Sequence, residues 1–138
     1  MTQNGTLPTY PLIENSGDLR AAGGRSLDEI DLEAAAAGLL GADDIQISAD
    51  TLRAQAEIAR QAGYRELAHN LVRAAELTAV PNADLLQMYE LLRPGRSTYA
   101  ELTALADRLA QEFHATETAA FVREAAEVYR TRNLFRRA

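Results

Sequence analysis

One apolar stripe in the C-terminal half of the chain constrains the fold most. Its members stand at positions i, i+3, i+4, i+7 and i+11: Leu102, Leu105, Ala106, Leu109 and Phe113. This spacing places them on one face of an α-helix. Ser97 or Thr98 is the predicted N-cap, and Thr98 and Glu101 have the spacing of a capping box. The sequence therefore predicts an amphipathic helix that begins here.

The remainder of the chain favours helices as well. Valine and isoleucine together number nine and tryptophan is absent, whereas residues that enter helices at little cost dominate. We expect an all-α fold, with five or so helices in a small compact bundle. The other predicted helices cover residues 27–37, 48–62, 64–79, 82–92 and 116–132.

The first 25 residues differ from the rest of the chain. They contain two of the four prolines and four of the eight glycines, without helical periodicity. Such a segment cannot bury enough of itself to offset its ordering entropy. We therefore predict an extended N-terminal arm at 1–25 and a helical domain at 26–138.

Because alanine is so frequent, we predict a core that buries little apolar area. It accounts for 27 of the 138 residues, so much of the apolar fraction of 47% consists of side chains that bury little area. The helix at 82–92 is an exception, because its large apolar residues surround most of its circumference. A helix of this kind is either central to a core or enclosed between its own domain and another protein.

Charge and composition exclude several classes of function. Fourteen arginines and twenty carboxylates give a net charge of −6, which opposes binding to nucleic acid or to an anionic membrane. Without cysteine there is neither a disulfide framework nor a thiolate site. The sequence also has no apolar run long enough for a membrane span. We expect a cytoplasmic protein.

The candidate chemical groups are sparse. His69 and His114 lie on different predicted helices without metal-ligand spacing, so neither a metal site nor a catalytic site is predicted. Arg93 and Arg96, beside a capped helix N-terminus, could bind an anion. The favoured interpretation is that these arginines pair with carboxylates, in particular those of a partner. The residues alone thus predict a helical, non-catalytic interaction subunit.

Three longer blocks resemble a known family in order and spacing. They are Arg73–Pro81, Met88–Thr98 and Ala119–Tyr129. In these blocks the chain resembles the small subunit of the adenosylcobalamin-dependent diol and glycerol dehydratases, and the similarity extends upstream to Tyr10.

The resemblance implies a role in a lyase assembled from large, medium and small subunits, two copies of each. Enzymes of this family convert propane-1,2-diol or glycerol to an aldehyde by radical chemistry. The substrate lies in the TIM barrel of the large subunit, and adenosylcobalamin lies between the large and medium subunits. The resemblance therefore implies that this chain has no catalytic, metal-binding or cofactor-binding residue.

We expect the large subunit to contact the helix at 82–92, the arginines that follow it and the arm. The predicted interface residues are Met88, Tyr89, Leu92, Arg93, Arg96, Phe121 and Arg123. Some diol dehydratase small subunits carry a long N-terminal extension associated with packaging into a bacterial microcompartment. Only a short segment precedes the matching region here, so packaging through this chain is not expected, although the enzyme could still lie in such a compartment.

Two alternatives remain open at the level of sequence. The first is a stand-alone helical adaptor that uses the same surfaces for another protein. The second is a helix-turn-helix DNA-binding protein that uses the helices at 48–62 and 64–79. The acidic first half of the chain argues against the second alternative.

Overall fold

Helices make up the regular structure of this chain. The computed structural model describes residues 9–15 and 19–138, and within these residues the only β pairing is an isolated bridge between Arg20 and Ser26. The predicted all-α fold class is confirmed. The chain divides into two compact units, Met1–Ala75 and Glu76–Ala138. The predicted boundary at residue 25 separates an arm from a helical domain, which is a different division of the chain, and it stays a prediction.

Eight α-helices are found in the described residues, and five of them have ten or more residues. Their bounds are Leu12–Asn15 (α1), Leu32–Ala36 (α2), Ala42–Ile45 (α3), Ala49–Gln61 (α4), Arg65–Leu77 (α5), Asn82–Leu91 (α6), Tyr99–Glu112 (α7) and Thr116–Arg132 (α8). A 3-10 turn, Leu27–Glu29, precedes α2. Residues 1–8 and 16–18 of the predicted arm lie outside the described residues, and the rest of that segment includes α1.

Local signals set the ends of the longer helices. The Ser48 hydroxyl accepts a hydrogen bond from the amide of Thr51 at the start of α4. At the start of α7, Thr98 Oγ1 accepts from the Glu101 amide at 3.2 Å, and the Glu101 carboxylate accepts from the Thr98 amide at 2.7 Å. The N-cap predicted at Thr98 is therefore confirmed, and both caps act within three residues.

The predicted helix at 27–37 was wrong as a continuous element. The backbone at Ile30 is extended, and Asp31 then starts α2 by accepting a hydrogen bond from the amide of Ala34 at 2.7 Å. A second N-cap inside the predicted helix explains the interruption.

Alanines provide the buried positions of the long helices in the first unit. On α4 they are Ala56 and Ala59, and on α5 they are Ala68 and Ala75. The turn between these helices contains Gly63, whose φ of 86° is in the left-handed region. The prediction that alanine supplies much of the core is thus confirmed for this unit.

The core of the second unit is formed mainly by α7 and α8. Its buried members are Val80, Met88, Leu102, Ala106, Leu109, Ala115, Ala119, Val122 and Ala126. The stripe that predicted α7 supplies three of them, and half-buried side chains such as Leu85 and Phe113 surround the cluster. Small alanine side chains at facing positions allow the two helices to approach closely.

Candidate functional site

The outer side of α6 exposes large apolar residues. Leu86 is 71% exposed and Tyr89 is 61% exposed, whereas Leu85 packs against the core on the opposite side. Exposed apolar side chains of this size, on a helix that also contributes to the core, are typical of interaction surfaces. The apolar circumference predicted for this helix therefore divides into a core side and an outer side.

Met88, one of the predicted interface residues, lies in the core of the isolated chain. It is only 4% exposed and belongs to the core cluster, because it points to the side of α6 that faces the chain's own interior. Leu92 is half-buried against the same cluster. Among the predicted interface residues of α6, Tyr89 offers most of its side chain to a partner.

The two arginines after α6 share one carboxylate. Arg93 Nη1 lies 3.1 Å from Glu90 Oε2, and Arg96 Nε lies 3.3 Å from Glu90 Oε1. More than half of each arginine side chain is exposed. In the isolated chain these arginines therefore pair with its own Glu90. Exposed ion pairs of this kind contribute little to stability. Replacing Glu90 by a carboxylate of a partner would therefore cost little free energy.

Residues 93–97, which we call the arginine turn, are joined to the end of the chain. The Gly95 amide donates to the Leu134 carbonyl at 2.7 Å, and the Arg136 amide donates to the Ser97 carbonyl at 2.8 Å. Gly95 has a φ of 78°, which favours glycine. We call residues 134–136 the C-terminal tail.

Phe121 and Arg123 lie on α8. Phe121 is 46% exposed, and Arg123 Nη2 lies 2.8 Å from Asp107 Oδ1 on α7. The described contacts do not link either residue to the arginine turn. The predicted interface residues other than Met88 thus all keep some exposure, and their contact with another subunit stays a prediction.

Charged groups beside the arginine turn are mutually paired. The hydroxyl of Tyr99 donates to Glu127 Oε1 at 2.6 Å, and this hydrogen bond is the main reason why the pKa of Tyr99 is raised. The guanidinium of Arg130 lies 5.3 Å from the centre of the Tyr99 ring. These contacts join Tyr99 at the start of α7 to Glu127 and Arg130 on α8.

Two grooves in the first unit were not anticipated from the sequence. The larger, of about 480 Å³, is lined by Tyr10, Leu12, Gln55, Ile58, Ala59, Ala62, Tyr64, Leu67 and Leu71. Tyr64 is 65% exposed and Leu67 is 50% exposed, although their spacing of three residues places both on one face of the helix predicted at 64–79. The smaller, of about 370 Å³, includes Arg20, Asp44 and Gln55 in its lining. Periodicity identifies an apolar face but cannot tell whether the same chain covers it.

The described part of the chain contains no group of three or more histidine, cysteine, aspartate or glutamate side chains that could hold a metal ion. None of the helices formed by residues 9–15 and 19–138 has the length and apolar character needed to cross a membrane.

Comparison with known proteins agrees with the resemblance seen in the sequence blocks. The family described as dehydratase small subunit matches residues 6–136. The chain is 47% identical to the propanediol dehydratase small subunit of Citrobacter freundii and 46% identical to that of Salmonella typhimurium. Each alignment covers 121 residues, which is 87% of this chain and 70% of the relative. The chain therefore belongs to the dehydratase small-subunit family.

Proposed function

We propose that this chain is the non-catalytic structural subunit of an adenosylcobalamin-dependent diol or glycerol dehydratase. The observation that carries the proposal is its match to the dehydratase small-subunit family over residues 6–136. The substrate would be propane-1,2-diol or glycerol, converted to propanal or 3-hydroxypropanal. The chemistry would take place in the large subunit.

The two grooves described in the first unit match a cobalamin poorly in lining and in size. Neither of these grooves is lined by a histidine, and the larger one is lined mainly by apolar side chains. Their volumes of about 480 and 370 Å³ lie within the range of pockets for drug-sized ligands, and adenosylcobalamin is far larger than such ligands. This misfit supports the proposal that the cofactor is held by the large and medium subunits.

The exposed apolar side chains support a structural role. Four large apolar residues are exposed to water: Leu86 and Tyr89 on α6, Leu67 on α5, and Tyr64 just before α5. Covering them with a large subunit would bury apolar surface and so favour assembly. We propose a cytoplasmic complex with two copies each of the large, medium and small subunits.

Reconstitution would test this proposal. Large and medium dehydratase subunits would be co-expressed with and without this chain, and cobalamin-dependent aldehyde formation would be measured. We expect the complete assembly to be active and the purified chain alone to be inactive. Full and stable activity of the large and medium subunits without this chain would overturn the structural role.

Charge reversal would locate the interface. We expect Arg93→Glu with Arg96→Glu to reduce co-purification with the large subunit, because both exposed guanidinium groups would become carboxylates. Arg132→Glu with Arg137→Glu makes the same change in net charge elsewhere on the second unit and is the matched control. Equal co-purification of the two double variants would contradict a role for the arginine turn.

The stand-alone adaptor alternative makes a different prediction for the purified chain. An adaptor should be a well-behaved monomer whose behaviour does not change when the dehydratase subunits are added. A dehydratase subunit should shift into a larger complex in their presence. Size-exclusion chromatography with and without the other two subunits distinguishes these outcomes.

A further inference from the structure

The C-terminal tail returns to the arginine turn instead of extending away from α8. Asn133 ends α8 in the left-handed conformation, with a φ of 55°. The next residues then make the two backbone hydrogen bonds described above, from Gly95 to Leu134 and from Arg136 to Ser97. The tail thus supplies backbone partners to both sides of Arg96.

Side chains of the tail strengthen the same contact. The Phe135 ring packs edge-on against Tyr99, at 6.1 Å between ring centres, and against Tyr129, at 5.8 Å. The hydroxyl of Tyr129 in turn donates to the carbonyl of Leu92, just before the arginine turn. Aromatic pairs of this geometry add to the stabilisation from burial alone. Phe135 therefore anchors the tail to the residues on both sides of the turn.

Arg136 provides a second link. Its Nη1 donates to the carbonyl of Arg96 at 3.2 Å, and its Nη2 lies 3.4 Å from Glu101 Oε1. The Arg96 carbonyl is thus bound by the tail while the Arg96 side chain points to Glu90. The backbone from which this arginine projects is fixed by residues outside the turn itself.

We infer that the C-terminal tail positions the arginine turn for contact with the large subunit. Without the tail, the Gly95 amide and the carbonyls of Arg96 and Ser97 lose their protein partners and the turn samples other conformations. The helices do not require these backbone bonds, although the Phe135 ring also packs against the core of the second unit. This inference rests on the proposed function.

Deletion variants test the inference in the full assembly. Removal of residues 134–138 eliminates the tail, whereas removal of 137–138 leaves its contacts intact and is the control. We expect the longer deletion to weaken binding to the co-expressed large and medium subunits by about tenfold or more, and the control to bind like wild type. Equal affinity of the two deletions would overturn the positioning role.

Point variants keep the test valid if the longer deletion fails to fold. Phe135→Ala should also weaken binding, whereas Phe135→Tyr keeps the ring between Tyr99 and Tyr129 and should restore it. Circular dichroism would verify that each variant retains its helices. Loss of binding in Phe135→Tyr equal to that in Phe135→Ala would contradict a role for the ring contacts.

Hydrogen exchange tests whether the tail contact exists, independently of assembly with the other subunits. In the isolated chain, the Gly95 amide should be protected in wild type and should exchange faster after removal of 134–138. Unchanged protection would overturn the contact itself. If wild type failed to bind the other subunits, the proposed function and the tail's role in assembly would both be wrong, and Gly95 exchange would still report whether the contact exists.

A double-mutant cycle identifies how the tail acts. If the tail works through the arginines, its deletion should cost little further affinity once Arg93→Ala and Arg96→Ala are present. Purely additive losses would mean that the tail contacts the large subunit directly or stabilises another surface. That result would overturn the inference.

Discussion

The carboxylate of Glu76 caps the N-terminus of α8 through Thr118. It accepts hydrogen bonds from the Thr118 amide at 2.8 Å and from the Thr118 hydroxyl at 2.6 Å, and the Glu117 amide donates to it at 2.9 Å. Ala115, at the N-cap position, makes no side-chain cap. A carboxylate 42 residues earlier in the sequence therefore replaces the missing local cap, and its charge is favourable at this end of the helix dipole.

Glu76→Ala should lower the free energy of unfolding by about 1–3 kcal/mol, because two backbone amides and a buried hydroxyl lose their acceptor. Denaturant unfolding followed by circular dichroism measures the change. Glu124→Ala, at an exposed position of α8, should change stability by no more than about 0.5 kcal/mol. Similar losses in both variants would argue against the cap.

Met88 and Tyr89 should respond in opposite ways to truncation. Met88→Ala should cost about 2–5 kcal/mol of unfolding free energy because its side chain lies in the core. Tyr89→Ala should leave stability nearly unchanged, since the side chain is 61% exposed, yet weaken co-purification with the large subunit. Assembly that is insensitive to Tyr89→Ala would remove the outer side of α6 from the proposed interface.

Two buried hydroxyls should differ in their contribution to stability. The Ser97 hydroxyl is buried without a hydrogen-bond partner in the described structure, whereas that of Thr118 donates to Glu76. We expect Ser97→Ala to leave stability unchanged or raise it by up to about 1 kcal/mol, and Thr118→Val to lower it by about 1–3 kcal/mol. Thermal or urea unfolding of both variants provides the measurement. A clear loss in Ser97→Ala would reveal a partner for its hydroxyl.

Glu101 should make the second unit sensitive to acid. The Thr98 amide, which donates to its carboxylate, is the main reason why the pKa of Glu101 is lowered below its ordinary value of 4.5. Because the folded-state pKa is lower than the unfolded one, the stabilisation is present above about pH 4.5 and is lost as the pH falls through the folded-state value.

Glu101→Gln tests this pH dependence, because glutamine does not titrate. The stability difference between wild type and this variant should shrink as the pH is lowered from about 7 to about 3 in urea unfolding experiments. Glu124→Gln controls for the general effect of removing a carboxylate from the second unit. A difference for Glu101→Gln that stays constant over this range would rule out the proposed linkage.

Local signals explain which parts of the fold could be predicted. The caps at Ser48 and Thr98 act over three residues, and α8 was predicted at its observed bounds, Thr116 to Arg132. Glu76 could not be recognised as a cap, because nothing in its neighbourhood indicates that α8 begins beside it. The interruption at Ile30 had a usable signal in Asp31, a strong N-cap residue.

The candidate site was predictable only in part. The apolar circumference of α6 was visible in the sequence, but the side that faces the core depends on where α7 and α8 lie. For this reason the burial of Met88 was not foreseen, and the exposure of Tyr64 and Leu67 was missed. The tail contact joins residues 95 and 134, so it depends on the length and direction of the intervening helices.

The exposed side chains of α5 and α6 have a consequence for the amount of this protein in a cell. Leu86 and Tyr89 remain largely in water when the chain is alone. Chaperones and proteases act on exposed apolar surface of this kind. An orphan copy is therefore distinguishable from an assembled one, and we expect its turnover to adjust the number of small subunits to the number of available partners.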